Sequence, residues 1–157
     1  MIGLATGMRK MEILSIRIRD IDFDRQTISI PKAKSGGRQQ PITRHLADFL
    51  REWVKSIPED QEWLFPSKKS VTGHIVNIDK AFRRVVQAAG LDTREVVRHT
   101  LRHTAISHMV MANIDLLTVK RISGHKSLSM VERYAHQNGE HIRAAMDKLE
   151  KRIHAVG

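Results

Sequence analysis

The chain has 157 residues, 41% of them hydrophobic and 28% charged, a length and composition that fit one globular domain and exclude a second full domain. Its 27 Lys and Arg exceed its 17 Asp and Glu, and the formal charge of +10 favours a polyanionic partner, with nucleic acid first. The absence of cysteine excludes disulfides, thiolate zinc sites and cysteine nucleophiles, and it agrees with a reducing, cytoplasmic location.

The sequence predicts neither a signal peptide nor a membrane segment. In the stretch from Met1 to Met8 the apolar residues precede the first charges, the reverse of the order in a signal peptide. The most apolar later stretch, Thr104 to Val119, is interrupted by His108, Asn113 and Asp115. We therefore expect no contact with a membrane.

Period-two hydrophobicity predicts a small sheet near the N-terminus. Thr27 to Ile30 alternates, Pro31 ends the alternation, and Arg38 to Ile42 resumes it, which predicts a β-hairpin. The tip of this hairpin, Lys34 to Gly37, is basic and rich in glycine. Asp20 to Phe23 can add a short third strand, so the expected sheet is three-stranded and antiparallel.

Helical spacing replaces the strand pattern from Thr43, which is placed as an N-cap. Four large apolar side chains then share one helical face: Leu46, Phe49, Leu50 and Trp53. They predict a helix to about Lys55, followed by a surface connection over Ser56 to Gly73. Another helix is expected over Asn77 to Ala89, with Gly90 as its C′ residue.

Four further helices complete the predicted order. Three of them are short and consecutive: His99 to Asn113, Leu116 to Ser123 with Gly124 after it, and Ser127 to His136. The last is amphipathic, with an apolar stripe at Ile142, Met146, Leu149 and Ile153. The predicted fold class is therefore α+β and predominantly α-helical, with a small three-stranded antiparallel sheet near the N-terminus.

Two candidate metal sites lack essential ligands. His99 and His103 have the spacing of a helical zinc pair, but the glutamate of His-Glu-x-x-His is missing and Arg102 stands between them. The acidic residues from Asp20 to Asp24 begin like a calcium loop, but the glycine and final glutamate of such a loop are absent. We therefore expect no metal ion and no other cofactor.

Two arginines lie in settings suited to binding an anion. Arg9 stands at an expected helix start, three residues before Glu12, although ordinary ion pairs share this arrangement. His99 and Arg102 project from one side of a helix and are expected to border a cleft. The stripe expected to face the core is a separate set: Leu101, Ala105, Met109 and Ala112.

Five short motifs, taken in order, resemble the successive conserved boxes of the tyrosine recombinases, the phage integrase family. They are Thr6-Gly7-Met8-Arg9-Lys10-Met11-Glu12-Ile13-Leu14, Lys34-Ser35-Gly36, His99-Thr100-Leu101-Arg102-His103-Thr104, Gly124-His125-Lys126-Ser127 and Arg133-Tyr134-Ala135-His136. Each motif alone has an ordinary structural explanation, but their common order over residues 6–136 favours the family.

The resemblance implies a set of site residues and partners. It makes these the catalytic residues: Arg9, Lys34, His99, Arg102, His125 and Tyr134, the last as nucleophile. It places Glu12 and His103 in supporting positions. It also implies a double-stranded DNA partner, and self-association on DNA in which the C-terminal helix docks on a neighbouring protomer or on its own domain.

Physical chemistry explains why such residues belong together. Attack on a phosphodiester gathers negative charge on its oxygens, and two fixed guanidiniums, Arg9 and Arg102, neutralise that charge without a metal ion. A tyrosine hydroxyl has a reference pKa near 10, so Tyr134 needs a nearby cation or base such as His99 or His125. A cation on a mobile tip, Lys34, would protonate the departing 5′-oxygen.

The resemblance covers nearly the whole chain, and we expect residues 1–157 to form a catalytic domain that lacks its beginning and the N-terminal DNA-clamping domain. The expected activity is site-specific recombination or integration through a 3′-phosphotyrosyl intermediate. Two alternatives stay open: a type IB topoisomerase-like activity that relaxes DNA, and a non-catalytic DNA-binding remnant of an integrase.

Overall fold

The computed structural model describes residues 1–31, 36–135 and 140–155. The elements in chain order are α1 (Ile2–Thr6), α2 (Lys10–Leu14), a 3-10 turn (Ile18–Asp20), β1 (Ile21–Asp22), β2 (Thr27–Ile30), β3 (Arg38–Pro41), α3 (Arg44–Lys55), α4 (Asp79–Ala88), α5 (Arg98–Met111), α6 (Leu116–Ser123), α7 (Ser129–Glu132) and α8 (Glu140–His154). This order confirms the predicted fold class, a mainly helical chain with one small sheet.

The sheet has the strand order β1-β2-β3, and both pairings are antiparallel. Ile28 of β2 lies opposite Ile21 on one side and Gln40 on the other. Because successive strand residues face opposite ways, Ile28 and Ile30 are buried while Thr27 and Ser29 are half-buried. The predicted hairpin and third strand are confirmed, whereas Lys34 at the predicted tip lies outside the described residues.

The sheet packs against α3 around an apolar core. Thr43 caps α3 as predicted, because its hydroxyl accepts a hydrogen bond from the Leu46 amide at 3.3 Å. The α3 residues that reach the core are Leu46, Ala47 and Leu50. Two members of the predicted stripe, Phe49 and Trp53, are instead more than 40% exposed. The face that α3 buries is therefore displaced from the predicted stripe toward Ala47.

A second, smaller core lies between α5, α6 and α7. Its buried members are Ile106, Val110, Val119, Val131 and Tyr134. The buried face of α5 carries Arg102, Ala105, Ile106 and Val110, so the predicted stripe was correct at Ala105 and wrong at Ala112, which is exposed. Arg102 is buried rather than at a cleft border because α1 packs against α5 and covers it.

The C-terminal elements differ from the predictions in extent and exposure. The predicted helix from Ser127 is reduced to α7, and its last residue, His136, lies outside the described residues. On α8 the stripe residues Met146, Leu149 and Ile153 are 59%, 51% and 62% exposed, so they are not buried on this domain. The side chain of Ile142 lies outside the description. In the described ranges no helix has the length and apolar character needed to cross a membrane.

Candidate active site

The two arginines predicted from the motifs each bind a backbone carbonyl at the end of a helix that is far away in sequence. α1 ends at Gly7 and α6 at Gly124, both in the left-handed conformation, with φ of 63° and 66°. Both terminal nitrogens of Arg9 donate to the Gly124 carbonyl at 3.1 Å. Arg102 donates through Nη1 to the Gly7 carbonyl at 2.5 Å. The two guanidiniums predicted from the motifs are therefore held by backbone atoms, which fixes their positions.

Glu12 is the carboxylate that holds the first arginine. It is 8% exposed, and its oxygens accept from the Arg9 amide at 3.0 Å and from Arg9 Nη1 at 3.1 Å. Arg38 at the start of β3 adds two parallel bonds to the same carboxylate, both at 3.2 Å. Burial alone would raise the pKa of Glu12, but the hydrogen bonds and charges of Arg38 and Arg9 outweigh it and lower that pKa.

Arg38 is a site residue that the sequence did not predict. Its side chain is 14% exposed and also donates to the buried amide oxygen of Gln40 at 3.0 Å. It packs so closely on Gly124 that a Cβ there would lie 2.7 Å from the guanidinium carbon of Arg38. A side chain at Gly124 would therefore displace the Arg38 guanidinium and would be strained at this positive φ. The only local signal for Arg38 was a cation that follows the glycine-rich hairpin tip.

His125 follows the glycine that ends α6 and lies against Arg102. Its Nε2 is 3.0 Å from Arg102 Nη2, and its Nδ1 is 2.7 Å from the hydroxyl of Ser123. Burial, with the positive charges of Arg102 and Arg9, lowers the pKa of His125 to about 4. Burial and Arg9 also lower the pKa of Arg102 to about 10, which still leaves it charged at neutral pH. The histidine is therefore neutral beside a charged guanidinium.

Tyr134 lies at the edge of the second core with its hydroxyl between two polar groups. The residue is 6% exposed, and its oxygen lies 2.5 Å from Nδ1 of His103 and 3.2 Å from Nη2 of Arg133. The guanidinium carbon of Arg133 also lies 5.1 Å from the centre of the tyrosine ring. His103 was predicted as a supporting residue, and the structure brings it into direct contact with the tyrosine hydroxyl.

The ring of His103 meets the exposed His99 edge-on, with ring centres 4.8 Å apart. Desolvation is the first cause that lowers the pKa of both histidines, and the charges of Arg102 and Arg133 add to it. Both rings are therefore neutral at neutral pH. Among residues with a described position, no cluster of three His, Asp or Glu side chains could hold a metal ion.

An open basic cleft of about 540 Å³ lies beside these groups. Its charged lining is entirely cationic: Arg38, Lys120, Arg121 and Lys126. Gly124 and His125, the hydrogen-bond partners of Arg9 and Arg102, also line the cleft. A phosphate backbone is the ligand that this concentration of positive charge suits.

The structure thus brings together five of the six predicted catalytic positions with their two supporting residues. Arg102 contacts His125, Arg9 is bound to the Gly124 carbonyl next to that histidine, and Tyr134 contacts His103, one residue after Arg102 on α5. His99 is exposed and meets the ring of His103. Lys34 lies outside the described residues. The residues that sequence reasoning did not assign are Arg38, Ser123 and Arg133. Arg38 meets Glu12 across the fold, whereas Ser123 and Arg133 contact His125 and Tyr134, their near neighbours in sequence.

Known proteins resemble this chain both in sequence and in structure. The tyrosine recombinase XerA of Thermococcus kodakarensis is 29% identical over 148 residues, which cover 92% of this chain and 51% of that protein. The catalytic domain of bacteriophage HP1 integrase superposes with a TM-score of 0.68 at 28% identity, over 93% of this chain and 77% of that one.

The Tn1549 transposon integrase, solved in complex with transposon right end DNA, shares the fold with a TM-score of 0.79 at 21% identity, over 95% of this chain and 57% of that one. The chain spans about half the length of the curated relatives it matches. The family model described as the phage integrase family matches residues 1–141. Because this model matches nearly all of its length, the chain belongs to the phage integrase family.

Proposed function

We propose that this chain cleaves and rejoins DNA at specific sites through a covalent bond between Tyr134 and a 3′-phosphate. The observation that carries the proposal is the hydroxyl of Tyr134, held 2.5 Å from Nδ1 of His103, one residue along α5 from the buried Arg102. A nucleophile with a base in hydrogen-bond reach, next to fixed cations, is the arrangement that phosphoryl transfer requires. The relatives named tyrosine recombinases support the same reaction class.

In the proposed step the Tyr134 oxygen bonds to phosphorus as the bond from phosphorus to the 5′-oxygen breaks. The tyrosine proton passes to Nδ1 of the neutral His103, while Arg133 donates to the phenolic oxygen and stabilises its negative charge. The 5′-oxygen takes a proton from Lys34, a role assigned through the family motif alone. The 5′-hydroxyl of another strand attacks the phosphotyrosyl bond and reverses the step. The energy of the phosphodiester is kept in that bond, so no nucleoside triphosphate is consumed.

The arginines stabilise the charge that develops on the non-bridging oxygens. Arg9 and Arg102 each spend part of their donor set on a backbone carbonyl, which leaves other guanidinium N–H groups for phosphate. Their positions are set before DNA arrives, which lowers the reorganisation needed in the transition state. This charge stabilisation makes a divalent metal unnecessary in the proposed mechanism, and no cofactor is assigned.

The histidine roles in this proposal differ from the first expectation. His99 or His125 was expected to activate the tyrosine, but Nε2 of His125 faces Arg102 and His99 reaches the site through His103. His103 is therefore the better candidate for the base. The proposal keeps residues 1–157 as a catalytic domain, an assignment that the match to the HP1 integrase catalytic domain supports.

The test uses duplexes with a 5′-bridging phosphorothiolate inside a randomised sequence, because a released 5′-thiol religates poorly and traps the adduct. We expect a fraction of the duplexes to migrate with the protein on a denaturing gel, with and without EDTA. Sequencing of the captured strands would then give the target site.

Cleavage without an adduct would contradict the tyrosine mechanism, and binding without cleavage would favour the non-catalytic alternative. Relaxation of supercoiled plasmid without sequence preference would favour the topoisomerase-like one.

We further propose self-association on DNA through the exposed stripe on α8. Met146, Leu149 and Ile153 are uncovered on this domain, and a row of apolar side chains on one face of a helix is suited to docking on a second copy. Leu149→Gln should reduce DNA-dependent assembly in analytical ultracentrifugation. Lys148→Gln is the matched control on the adjacent exposed position, and equal loss in both variants would contradict the assignment.

A further inference from the structure

Three hydrogen bonds in series join Arg102 to the backbone of α6. The guanidinium nitrogen Nη2 of Arg102 lies 3.0 Å from Nε2 of His125, and Nδ1 of His125 lies 2.7 Å from Oγ of Ser123. Oγ of Ser123 in turn donates to the carbonyl of Val119 at 2.6 Å. The three linked side chains are 4%, 6% and 0% exposed respectively, so water does not compete for these bonds.

Counting the hydrogens leaves one arrangement of this series. A guanidinium can only donate, so Nε2 of His125 must accept and carries no proton. The single proton of the neutral imidazole therefore lies on Nδ1, which donates to the hydroxyl oxygen of Ser123. The serine hydroxyl has one hydrogen, and it is directed to the Val119 carbonyl, leaving the oxygen free to accept.

We propose that Ser123 is a positioning residue that selects the Nδ1–H tautomer of His125, and that this tautomer fixes the guanidinium of Arg102. The catalytic part of this inference rests on the proposed function, whereas the tautomer can be measured in the free protein. The lowered pKa of His125 agrees with the neutral imidazole that the series requires.

Removal of the serine hydroxyl leaves two costly arrangements. If the proton stays on Nδ1, a buried N–H has lost its acceptor. If the proton moves to Nε2, that N–H faces the N–H of Arg102 and the contact between the two side chains is lost. Arg102 would then keep only its bond to the Gly7 carbonyl as a described anchor on this side of the site.

Another serine of the chain provides a matched control. Ser15 makes the same bond from its hydroxyl to the carbonyl four residues earlier, Met11, also at 2.6 Å. Among the described residues this side chain makes no hydrogen bond to a histidine, and Ser15 is exposed. Ser15→Ala therefore removes the ordinary helix bond of a serine without altering a tautomer.

The first measurement is the ¹⁵N chemical shifts of the histidine rings in the free protein at neutral pH. We expect His125 to have a protonated Nδ1 and an unprotonated Nε2 in the wild type and in Ser15→Ala. In Ser123→Ala the signals should shift toward the Nε2–H tautomer, and Ser123→Thr, which keeps a hydroxyl, should restore the wild-type pattern. A wild-type His125 protonated on Nε2 would overturn the proposal without any variant.

The second measurement is the single-turnover rate of adduct formation on the target site that sequencing of the captured strands identifies. Ser123→Ala should slow the step about tenfold, the cost of one buried hydrogen bond left unmade, and Ser123→Thr should recover most of the rate. A slower rate with an unchanged tautomer would show a merely structural role and overturn the proposal. A shifted tautomer with an unchanged rate would overturn its catalytic part. If even the wild type forms no adduct, the proposed function fails while the ring shifts still decide the role of Ser123.

Discussion

The two cores of this molecule differ in the polar groups that are buried beside them. The core around the sheet and α3 has eleven buried apolar members, and the buried polar residue paired with it on β3, Gln40, is uncharged. The region around α5, α6 and α7 buries apolar side chains as well, but Arg102, Ser123, His125 and Tyr134 are buried beside them. Burial of polar groups costs free energy unless each is hydrogen-bonded, and here each has a partner. The first core therefore supplies stability, and the second region holds one charged guanidinium and three neutral polar side chains in fixed positions.

Tyr134→Phe should separate chemistry from folding most sharply. Because only one hydroxyl is removed, we expect the covalent adduct to disappear while DNA affinity and the thermal midpoint stay near wild type. The hydrogen bond to His103 that is lost is worth about 1 kcal/mol. A denaturing gel and a DNA-binding titration check these outcomes. Equal adduct from wild type and variant would remove Tyr134 as nucleophile.

Leu50→Ala tests the apolar core. Leu50 is fully buried in the α3 face, so the lost contacts and the cavity should lower the free energy of unfolding by about 2–5 kcal/mol. Leu117→Ala on α6 is the matched control, since that side chain is 60% exposed and should cost less than about 1 kcal/mol. Urea denaturation measures both. Adduct formation per folded molecule should remain unchanged in each variant.

Arg102→Ala tests the buried charge of the second region. Its loss should raise the barrier to adduct formation by about 2.7–4 kcal/mol, as for other preorganised donors to a developing anion. Arg25→Ala, which removes a guanidinium on a surface turn 85% exposed at its side chain, is the control and should react like the wild type. Single-turnover rates on the captured site give the comparison. A rate for Arg102→Ala within a factor of two of wild type would place the charge stabilisation elsewhere.

The pH dependence of stability should report on His125. Because its folded pKa of about 4 lies below the ordinary 6.5, the unfolded chain binds more protons between these values. Stability is therefore full above pH 6.5 and is lost as the pH falls toward 4, by about 1–3 kcal/mol. His99 and His103, whose pKa values are also lowered, add to the same window.

Denaturation midpoints between pH 4.5 and 7.5 check this linkage, and His125→Asn should flatten the slope. His45→Asn, at an exposed position on α3, is the control for the loss of an imidazole. The measurements stop at pH 4.5 because Glu12 also contributes to stability through its lowered pKa. That contribution is lost only below pH 4.5, the ordinary pKa of this carboxyl, so it does not affect the slope measured above it. An equal slope in wild type and His125→Asn would contradict the assignment.

The sequence by itself determined the local elements and the order of the motifs. Alternation in β2, the Thr43 cap and the glycine after α6 are properties of neighbouring residues, so they were predictable without knowledge of the fold. The motif residues Arg9, Arg102, His125 and Tyr134 were likewise identified through their order in the chain. Helix extents were less reliable, as α7 shows, because packing rather than propensity decides where a short helix ends.

Only the tertiary structure decided which groups meet. The bond from Arg9 to the Gly124 carbonyl spans 115 residues, and that from Arg102 to the Gly7 carbonyl spans 95. No periodicity or cap encodes such contacts, and for the same reason Arg38 could not be recognised as a second partner of Glu12. The prediction for α5 did not place Arg102 on the buried face, because a periodic pattern assigns only apolar side chains to the core. The Gly7 carbonyl at the end of α1 accepts a hydrogen bond from Arg102, which allows this arginine to be buried.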